Sequence, residues 1–276
     1  MKKIYFFVIS VFFILLVYNV NAQSSDVNTV IKKSEKALEA MMAGSRKMEI
    51  LTKDGEQVTR KFVARRAHKV FPDGKRDLMV ILEPEILKGW AYMYWDLNNK
   101  PLVQWVYPTE VRRVRKIDNT TVYESFIGTD FTYSDIGIAD AAGEHKLLGE
   151  EEYNNKKVYK VETIPKQKWY YSRIVSLIAS DTFLPIKRDY YDNKGRHWKT
   201  KLFENVTVIN NVPIPLRIRM LDAQRKSYST EAIFSEICHD VAFLTKEDFD
   251  PTKLSEAALS PVCSVRPFKQ KEEPGS

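Results

Sequence analysis

Gly89-Trp90-Ala91-Tyr92-Met93-Tyr94-Trp95-Asp96, then the break Asn98-Asn99-Lys100-Pro101, then Leu102-Val103-Gln104-Trp105-Val106-Tyr107, is the stretch whose reading decides the fold. Two runs of strand length, rich in aromatic and β-branched residues, flank a cluster of turn formers. A connection this short makes its two strands antiparallel, because a parallel return needs a long crossover. In the first run Trp90, Tyr92 and Tyr94 alternate with Ala91, Met93 and Trp95; in the second, Leu102, Gln104 and Val106 alternate with Val103, Trp105 and Tyr107. Both faces are apolar, and a sheet apolar on both faces needs cover on both sides.

Working outward, the same style recurs. Strand-like segments fall at 57–67, 76–83, 89–96, 102–107 and 111–117, and again at 158–164, 173–179, 185–191, 197–209, 212–221 and 227–237. Lys53-Asp54-Gly55, Pro72-Asp73-Gly74-Lys75, Asp192-Asn193-Lys194-Gly195 and Asn210-Asn211 are turn or hairpin signals between neighbours. About eleven strands in an antiparallel meander are too many for an open sheet to stay flat, so it should curl.

Two segments differ. Residues 26–43 read as a helix: Val27, Val30, Ile31, Ala37, Leu38, Met41 and Met42 share a face, with Asp26 placed to cap the start and Gly44 the end. Its apolar stripe should lie across the sheet. From Asp118 to about Lys157 the strand rhythm fails. This interval carries Phe126, Phe131 and Tyr133, then an Ala-rich, acidic portion. A connection this long covers a site or carries elements of its own. The reading is a lid over the open side of the sheet; a loop on the outer face would expose those aromatics.

The ends bound the class. Lys2 and Lys3, an apolar run over 4–17 and Val20-Asn21-Ala22 read as a secretory leader, 1–22, cleaved after Ala22; the alternative is an uncleaved anchor. One domain is expected over 23–263 and a disordered tail over 264–276. Two of the lysines behind the net charge of +7 belong to the leader, and the mild basic excess left suits an anionic membrane or no particular partner. An exported chain is a poor fit to nucleic acid. The first cysteine is Cys238, so no N-terminal cysteine is available for lipidation. Cys238 and Cys263 are expected to pair in an oxidising compartment, two free thiols being the alternative.

Catalytic patterns do not emerge. His68, His145, His197 and His239 form no H-E-x-x-H helix motif, and there is no G-x-S-x-G elbow or phosphate-cradling glycine loop. His239-Asp240 beside Cys238 reads as a strand end. Asp130 and Asp135 among aromatics suggest a glycosidase pair, but turn capping accounts for them better. The basic run at 111–117, read as a strand, puts Arg113 and Arg115 on one face and Arg112 and Lys116 on the other. It reads either as a contact for phosphate or carboxylate headgroups, or as a charged edge strand guarded against aggregation. No enzyme activity, metal or cofactor is expected.

Three pieces in order, Leu82-Glu83-Pro84-Glu85-Ile86-Leu87-Lys88-Gly89 with its aromatic strand, Tyr107-Pro108 leading into 111–117, and Ser125-Phe126-Ile127-Gly128-Thr129-Asp130-Phe131-Thr132-Tyr133-Ser134-Asp135, resemble the periplasmic outer-membrane lipoprotein-sorting (LolA-like) family, in its branch associated with RND-type exporters. Leu184-Pro185 before Asp189-Tyr190-Tyr191-Asp192, and Leu244-Thr245-Lys246-Glu247-Asp248-Phe249, agree. The resemblance implies an α+β, mainly β fold: an incomplete barrel with helices plugging the concave side, where acyl chains are received.

The resulting expectation is a monomeric periplasmic carrier of lipid or lipoprotein acyl chains, moving them toward the outer membrane with an RND-type exporter or an outer-membrane acceptor. Cavity and lid candidates are Trp90, Tyr92, Tyr94, Trp105, Tyr107, Phe126, Phe131 and Tyr133; headgroup or partner contacts are Arg112, Arg113 and Arg115. The alternative is a periplasmic sensor or adaptor binding a membrane protein on the same fold.

Overall fold

The computed structural model describes residues 26–118, 121–136, 143–165 and 170–257. The leader, Cys263 with its pairing to Cys238, and the C-terminal tail lie outside the described residues.

The chain opens with helix α1 (Val27–Met42), where the Asp26 carboxylate accepts from the Asn28 and Thr29 amides at 3.3 and 3.2 Å. These are donors a helix start leaves unpaired. Val30, Ser34, Leu38, Met41 and Met42 are buried on one face. The helix passes almost directly into strand β1 (Gly44–Asp54). Gly44 makes the corner at φ +91°, and a β-carbon there would run into the Cys238 carbonyl oxygen; only glycine suits both conditions.

The remaining strands are β2 (Gln57–Phe71), β3 (Gly74–Glu83), β4 (Ala91–Leu97), β5 (Val103–Tyr107) and β6 (Arg115–Ile117), then β7 (Gly143–Tyr153), β8 (Lys156–Pro165), β9 (Arg173–Ala179), β10 (Pro185–Tyr191), β11 (His197–Ile209), β12 (Val212–Asp222) and β13 (Tyr228–Cys238). They form one antiparallel sheet in the order β6-β5-β4-β3-β2-β1-β13-β12-β11-β10-β9-β8-β7. Each half is a meander, and β1 pairs with β13 to join them, Met48 opposite Phe234 and Ile50 opposite Ala232.

The thirteen strands exceed the eleven expected by β1 and β7. β7 was hidden because it is an edge strand whose side chains, Glu150, Glu151 and Glu152 among them, are mostly exposed. It lacks an apolar stripe, and its charges blunt an open edge. The expected lid therefore ends before Gly143. The strand read at 111–117 also contracts: the Pro108 carbonyl accepts from the Val111 and Arg112 amides, Arg112 sits at φ 52°, and only Arg115–Ile117 pair with β5. Arg112 and Arg113 thus lie in a turn instead of on opposite strand faces.

Arg66 on β2 and Arg188 on β10 line one cavity, although the sheet order places five strand steps between them. Laid flat, that is about 24 Å. The sheet is therefore strongly curved. Its concave side holds the main core, which includes Met48, Phe62, Met79, Tyr92, Phe203 and Phe234.

The opposite face of β2–β5 is covered by the chain itself. Leu244, Phe249 and Leu254, from a C-terminal segment with 3-10 turns at Glu247–Phe249 and Pro251–Glu256, pack against Ala67, Leu78 and Met93. Trp95 Nε1 donates to the Phe249 carbonyl at 2.9 Å, and Lys69 Nζ to the Val241 and Leu244 carbonyls. The apolar second face predicted from the aromatic strand needs no ligand for cover there.

Candidate functional site beneath the crossing segment

β6 and β7 are consecutive in the chain but occupy opposite edges of the sheet. The segment between them must cross from one rim to the other, and the described part, 121–136, does so over the concave face. It begins with a 3-10 turn, Thr121–Tyr123, then folds back on itself through the bridge Ser125–Thr132. The Phe126 amide donates to the Phe131 carbonyl at 2.8 Å. It ends in a single turn, α2 (Tyr133–Ile136), where the Thr132 amide donates to Asp135 at 2.8 Å and the Asp135 amide to Thr132 Oγ1 at 3.1 Å. That reciprocal pair is a capping box.

Apolar side chains anchor the segment. Phe126 and Phe131 are buried. Phe126 meets Trp90 and Tyr92 edge to face, ring centroids 5.6 and 5.7 Å apart, and Tyr133 lies 5.9 Å from Tyr92. These separations are those aromatic pairs prefer.

Donors on the sheet also grip the segment by its main chain. Arg60 Nη1 donates to the Ile127 carbonyl at 2.7 Å, Lys199 Nζ to that of Asp130 at 2.7 Å, and Arg66 Nη2 to that of Ile136 at 2.8 Å. Lys201 reaches the Asp135 carbonyl at 3.4 Å. The Asp130 carboxylate accepts from Thr230 Oγ1 at 2.8 Å and faces Arg225 at 3.1 Å; that of Asp135 accepts from Tyr171 at 3.0 Å. Turn capping therefore describes Asp135, while Asp130 ties the segment to β13. Both carboxylates are held in structural contacts.

Beneath the segment, Arg66 Nε donates to both oxygens of Asp77 at 2.9 and 3.0 Å, and His68 Nδ1 lies 3.1 Å from the same carboxylate. Burial pulls the Arg66 guanidinium toward losing its proton, but Asp77 outweighs it and leaves the pKa raised. The nearby Arg46 guanidinium donates to the Met41 and Ala43 carbonyls, and burial, aided by Arg66, lowers it to about 9. Burial likewise pushes the Tyr92, Tyr94 and Tyr171 hydroxyls up.

What space remains is small. Between α1, the crossing segment and the sheet lies a cavity of about 40 Å³. That is well under the ~150 Å³ at which an apolar cavity admits benzene. Its apolar wall includes Leu38, Met41, Phe131 and Phe234; its charged wall is Arg66, Arg188, Lys201 and Asp135.

The architecture has counterparts of known structure. An outer membrane lipoprotein-sorting protein domain from Vibrio parahaemolyticus aligns with a TM-score of 0.73 at 22% identity, covering 83% of this chain and all of that one. A DUF1329 family protein from Desulfovibrio piger gives 0.73 at 24% identity, covering 83% and 98%. A LolA superfamily protein from Nitrosomonas europaea gives 0.65 at 18% identity, covering 81% and 97%. No curated protein matches the sequence. A family model described as "Uncharacterized protein" matches residues 73–256, from the turn before β3 to the last 3-10 turn. The chain belongs to the family which that model describes, and its fold is LolA-like.

Within this LolA-like half-barrel, Trp90, Tyr92, Tyr94, Phe126, Phe131 and Tyr133 all lie in the concave core. Phe131 reaches the cavity wall. Trp105 and Tyr107 do not join them. Trp105 is paired opposite Met93 and Tyr107 opposite Ala91, so both point to the other face, among residues packed on Phe249 and Leu254. The β5 residues on the concave side are Gln104, which accepts from the Tyr92 hydroxyl at 2.7 Å, and Val106. Arg112, Arg113 and Arg115 are exposed at the β6 edge and line no part of the cavity.

Arg66, Arg188, Lys199 and Lys201 were missed from sequence. The signal was there: Arg66 is in phase with Phe62 and Ala64, and Lys199 and Lys201 with Phe203, so each cation shares the apolar stripe of its strand. Among the described residues no group of three or more His, Cys, Asp or Glu could hold a metal ion, and no helix is long and apolar enough to cross a membrane.

Proposed function

We propose that this protein is an exported, non-enzymatic carrier that shields the acyl chains of lipid or lipoprotein between membranes. In this reading an acyl chain takes the place of the crossing segment on the concave face. The observation that carries the proposal is the construction of that face. An apolar bowl is closed by the crossing segment, which inserts Phe126, Phe131 and Tyr133 and is held besides by hydrogen bonds to its carbonyls and to the Asp130 and Asp135 carboxylates.

A bound acyl chain would bury apolar area much as those rings do, at about 0.8 kcal/mol per CH₂. That gain opposes the loss of the segment's buried aromatic side chains. With only about 40 Å³ open beneath it, loading requires the segment or α1 to move. The exposed Arg112, Arg113 and Arg115 at the β6 edge then suit contact with anionic headgroups or with an acidic partner such as an exporter's periplasmic domain.

The filled interior also favours a second reading, an adaptor that binds a membrane protein and carries no lipid. One experiment separates them: the mature protein is titrated with a fluorescent fatty acyl probe, and its co-purifying lipid is measured by mass spectrometry. Saturable uptake with extractable lipid supports the carrier. Protein that stays lipid-free and ignores the probe retires it in favour of the adaptor.

A further inference from the structure

We infer that the β3–β4 and β5–β6 connections together form a tip that docks on an anionic membrane, Ile86 and Val111 entering the lipid while the arginines beside Val111 meet its headgroups. The inference rests on the carrier reading, in which cargo is exchanged with a membrane, and adds which end of the molecule faces that membrane.

Among the described residues, Ile86 is the most exposed large apolar side chain, at 78%. One exposed aliphatic is ordinary on a protein surface; the mounting of this one is not. It stands on the 3-10 turn Glu85–Leu87, where the Leu87 amide donates to the Pro84 carbonyl and the Trp90 amide to that of Leu87, both at 2.9 Å. Leu87 packs onto the concave core. The turn is thus fastened from within while Ile86 faces water.

The second connection adjoins the first. Ala91 is paired with Tyr107, so β4 is entered and β5 is left at the same end of the sheet. A β-carbon on Gly89 would lie 3.7 Å from the Thr109 methyl. Val111, 42% exposed, sits in the turn whose amides close on the Pro108 carbonyl, and Val114 fastens that turn to the outer-face cluster.

Cations are concentrated here. Arg112, Arg113, Arg115 and Lys116 are all exposed, with Glu110 the one carboxylate between Pro108 and Lys116. Around Ile86, Glu83 and Glu85 stand against Lys88, whose Nζ lies 3.2 Å from Glu85. Exposed aliphatics on fixed turns, flanked by arginine, match a lipid surface, which buries the first and attracts the second. An acidic protein would satisfy the arginines and leave Ile86 without cover. Neither signal alone gives stable attachment, and the two together remain reversible, as a protein that must leave again requires.

Docking at this end also sets the closure of the bowl against the membrane. Trp90, which follows the tip directly, meets Phe126 of the crossing segment edge to face at 5.6 Å.

The test is flotation of the mature protein with vesicles of phosphatidylcholine alone and of phosphatidylcholine mixed with phosphatidylglycerol. The protein should float with the anionic vesicles at low salt and come off at high salt. Ile86→Ser with Val111→Ser should weaken that binding at least about tenfold, the scale of leaving one aliphatic side chain in water. The same pair should leave uptake of a fluorescent acyl probe in vesicle-free solution as before. Arg112→Gln, Arg113→Gln and Arg115→Gln together should weaken vesicle binding about a hundredfold, at about fivefold per cation. Binding undiminished by either set of substitutions overturns the inference, as does equal binding to both kinds of vesicle. No vesicle binding with probe uptake intact also overturns it, makes an acidic protein the occupant of the tip and leaves the carrier reading standing. Neither binding nor uptake overturns both. The unaltered protein on the two vesicle types is decisive by itself should a variant fail to fold.

Discussion

Arg66 on β2 holds Asp77 on β3 with both carboxylate oxygens within 3.0 Å of its Nε, and neither side chain reaches solvent appreciably. The same guanidinium holds the Ile136 carbonyl. One buried ion pair therefore links the sheet to the end of the segment that closes it.

Removing one partner should be far worse than removing both. Asp77→Ala strands Arg66 in the interior and is expected to cost about 3–5 kcal/mol, whereas Arg66→Met with Asp77→Leu should recover most of that loss. Urea unfolding of the three proteins checks the order. Equal destabilisation by the single and double variants would refute the pairing as the source.

The carbonyl grip on the crossing segment should be separable from the fold. Lys199→Met removes the donor to the Asp130 carbonyl. It should speed amide exchange within 126–136, with the β1–β13 ladder protected as before. Unchanged exchange in 126–136 would show that the Lys199 contact does not hold the segment.

The two tryptophans chosen from sequence should behave differently. Trp90 is buried against Phe126 on the concave side, and Trp105 packs on Trp95 on the other. Trp90→Leu should weaken uptake of an acyl probe; Trp105→Leu should lower stability and leave uptake intact. A probe titration beside a thermal melt distinguishes them.

Gly44→Ala should be among the most damaging single substitutions in the chain. It adds a β-carbon against the Cys238 backbone at a positive φ, and the expected loss is upward of about 2 kcal/mol. A Tm within a few tenths of a degree of the parent would contradict the tight helix-to-strand corner.

Acid should loosen the joint between β2 and β13. Arg65 donates to Glu236 at 2.6 Å, and this hydrogen bond holds the Glu236 carboxyl below its ordinary value of 4.5. Because the folded pKa is depressed, the unfolded chain binds more protons through that window. The contribution is therefore present above the ordinary value and is lost as pH falls through the lower folded one. Glu236→Gln should flatten the fall in Tm between neutral pH and about pH 3. An identical acid profile in the variant would assign the loss elsewhere.

Much of the fold was legible because it is local. Hairpin signals such as Asn210-Asn211 and Asp192-Asn193-Lys194-Gly195 fix which strands are neighbours, and period-two alternation fixes where β9, β10 and β11 run. Asp26 and the stripe ending at Met41 and Met42 mark α1. β7 was not legible, since an exposed edge strand carries no apolar period. Nor was the shortening of β6, which follows from two amides turning back onto the Pro108 carbonyl.

The aromatic strand illustrates the boundary between the two kinds of information. Sequence alone determined that Trp90, Tyr92 and Tyr94 share one face and that Trp105 and Tyr107 share one. A period of two gives parity within a strand but not which side of the sheet that parity faces. Only the pairing of Met93 with Trp105 set the second pair against Phe249, away from the bowl. In the same way the chain spelled out a long interval between two strands, but the interval had to pass from one rim of the sheet to the other because the β1–β13 pairing sends β6 and β7 to opposite edges. The cavity and its ring of cations belong to the tertiary structure for that reason. They exist only where residues far apart in the chain, Arg66, Arg188 and Lys201 among them, are brought together by curvature that no single strand encodes.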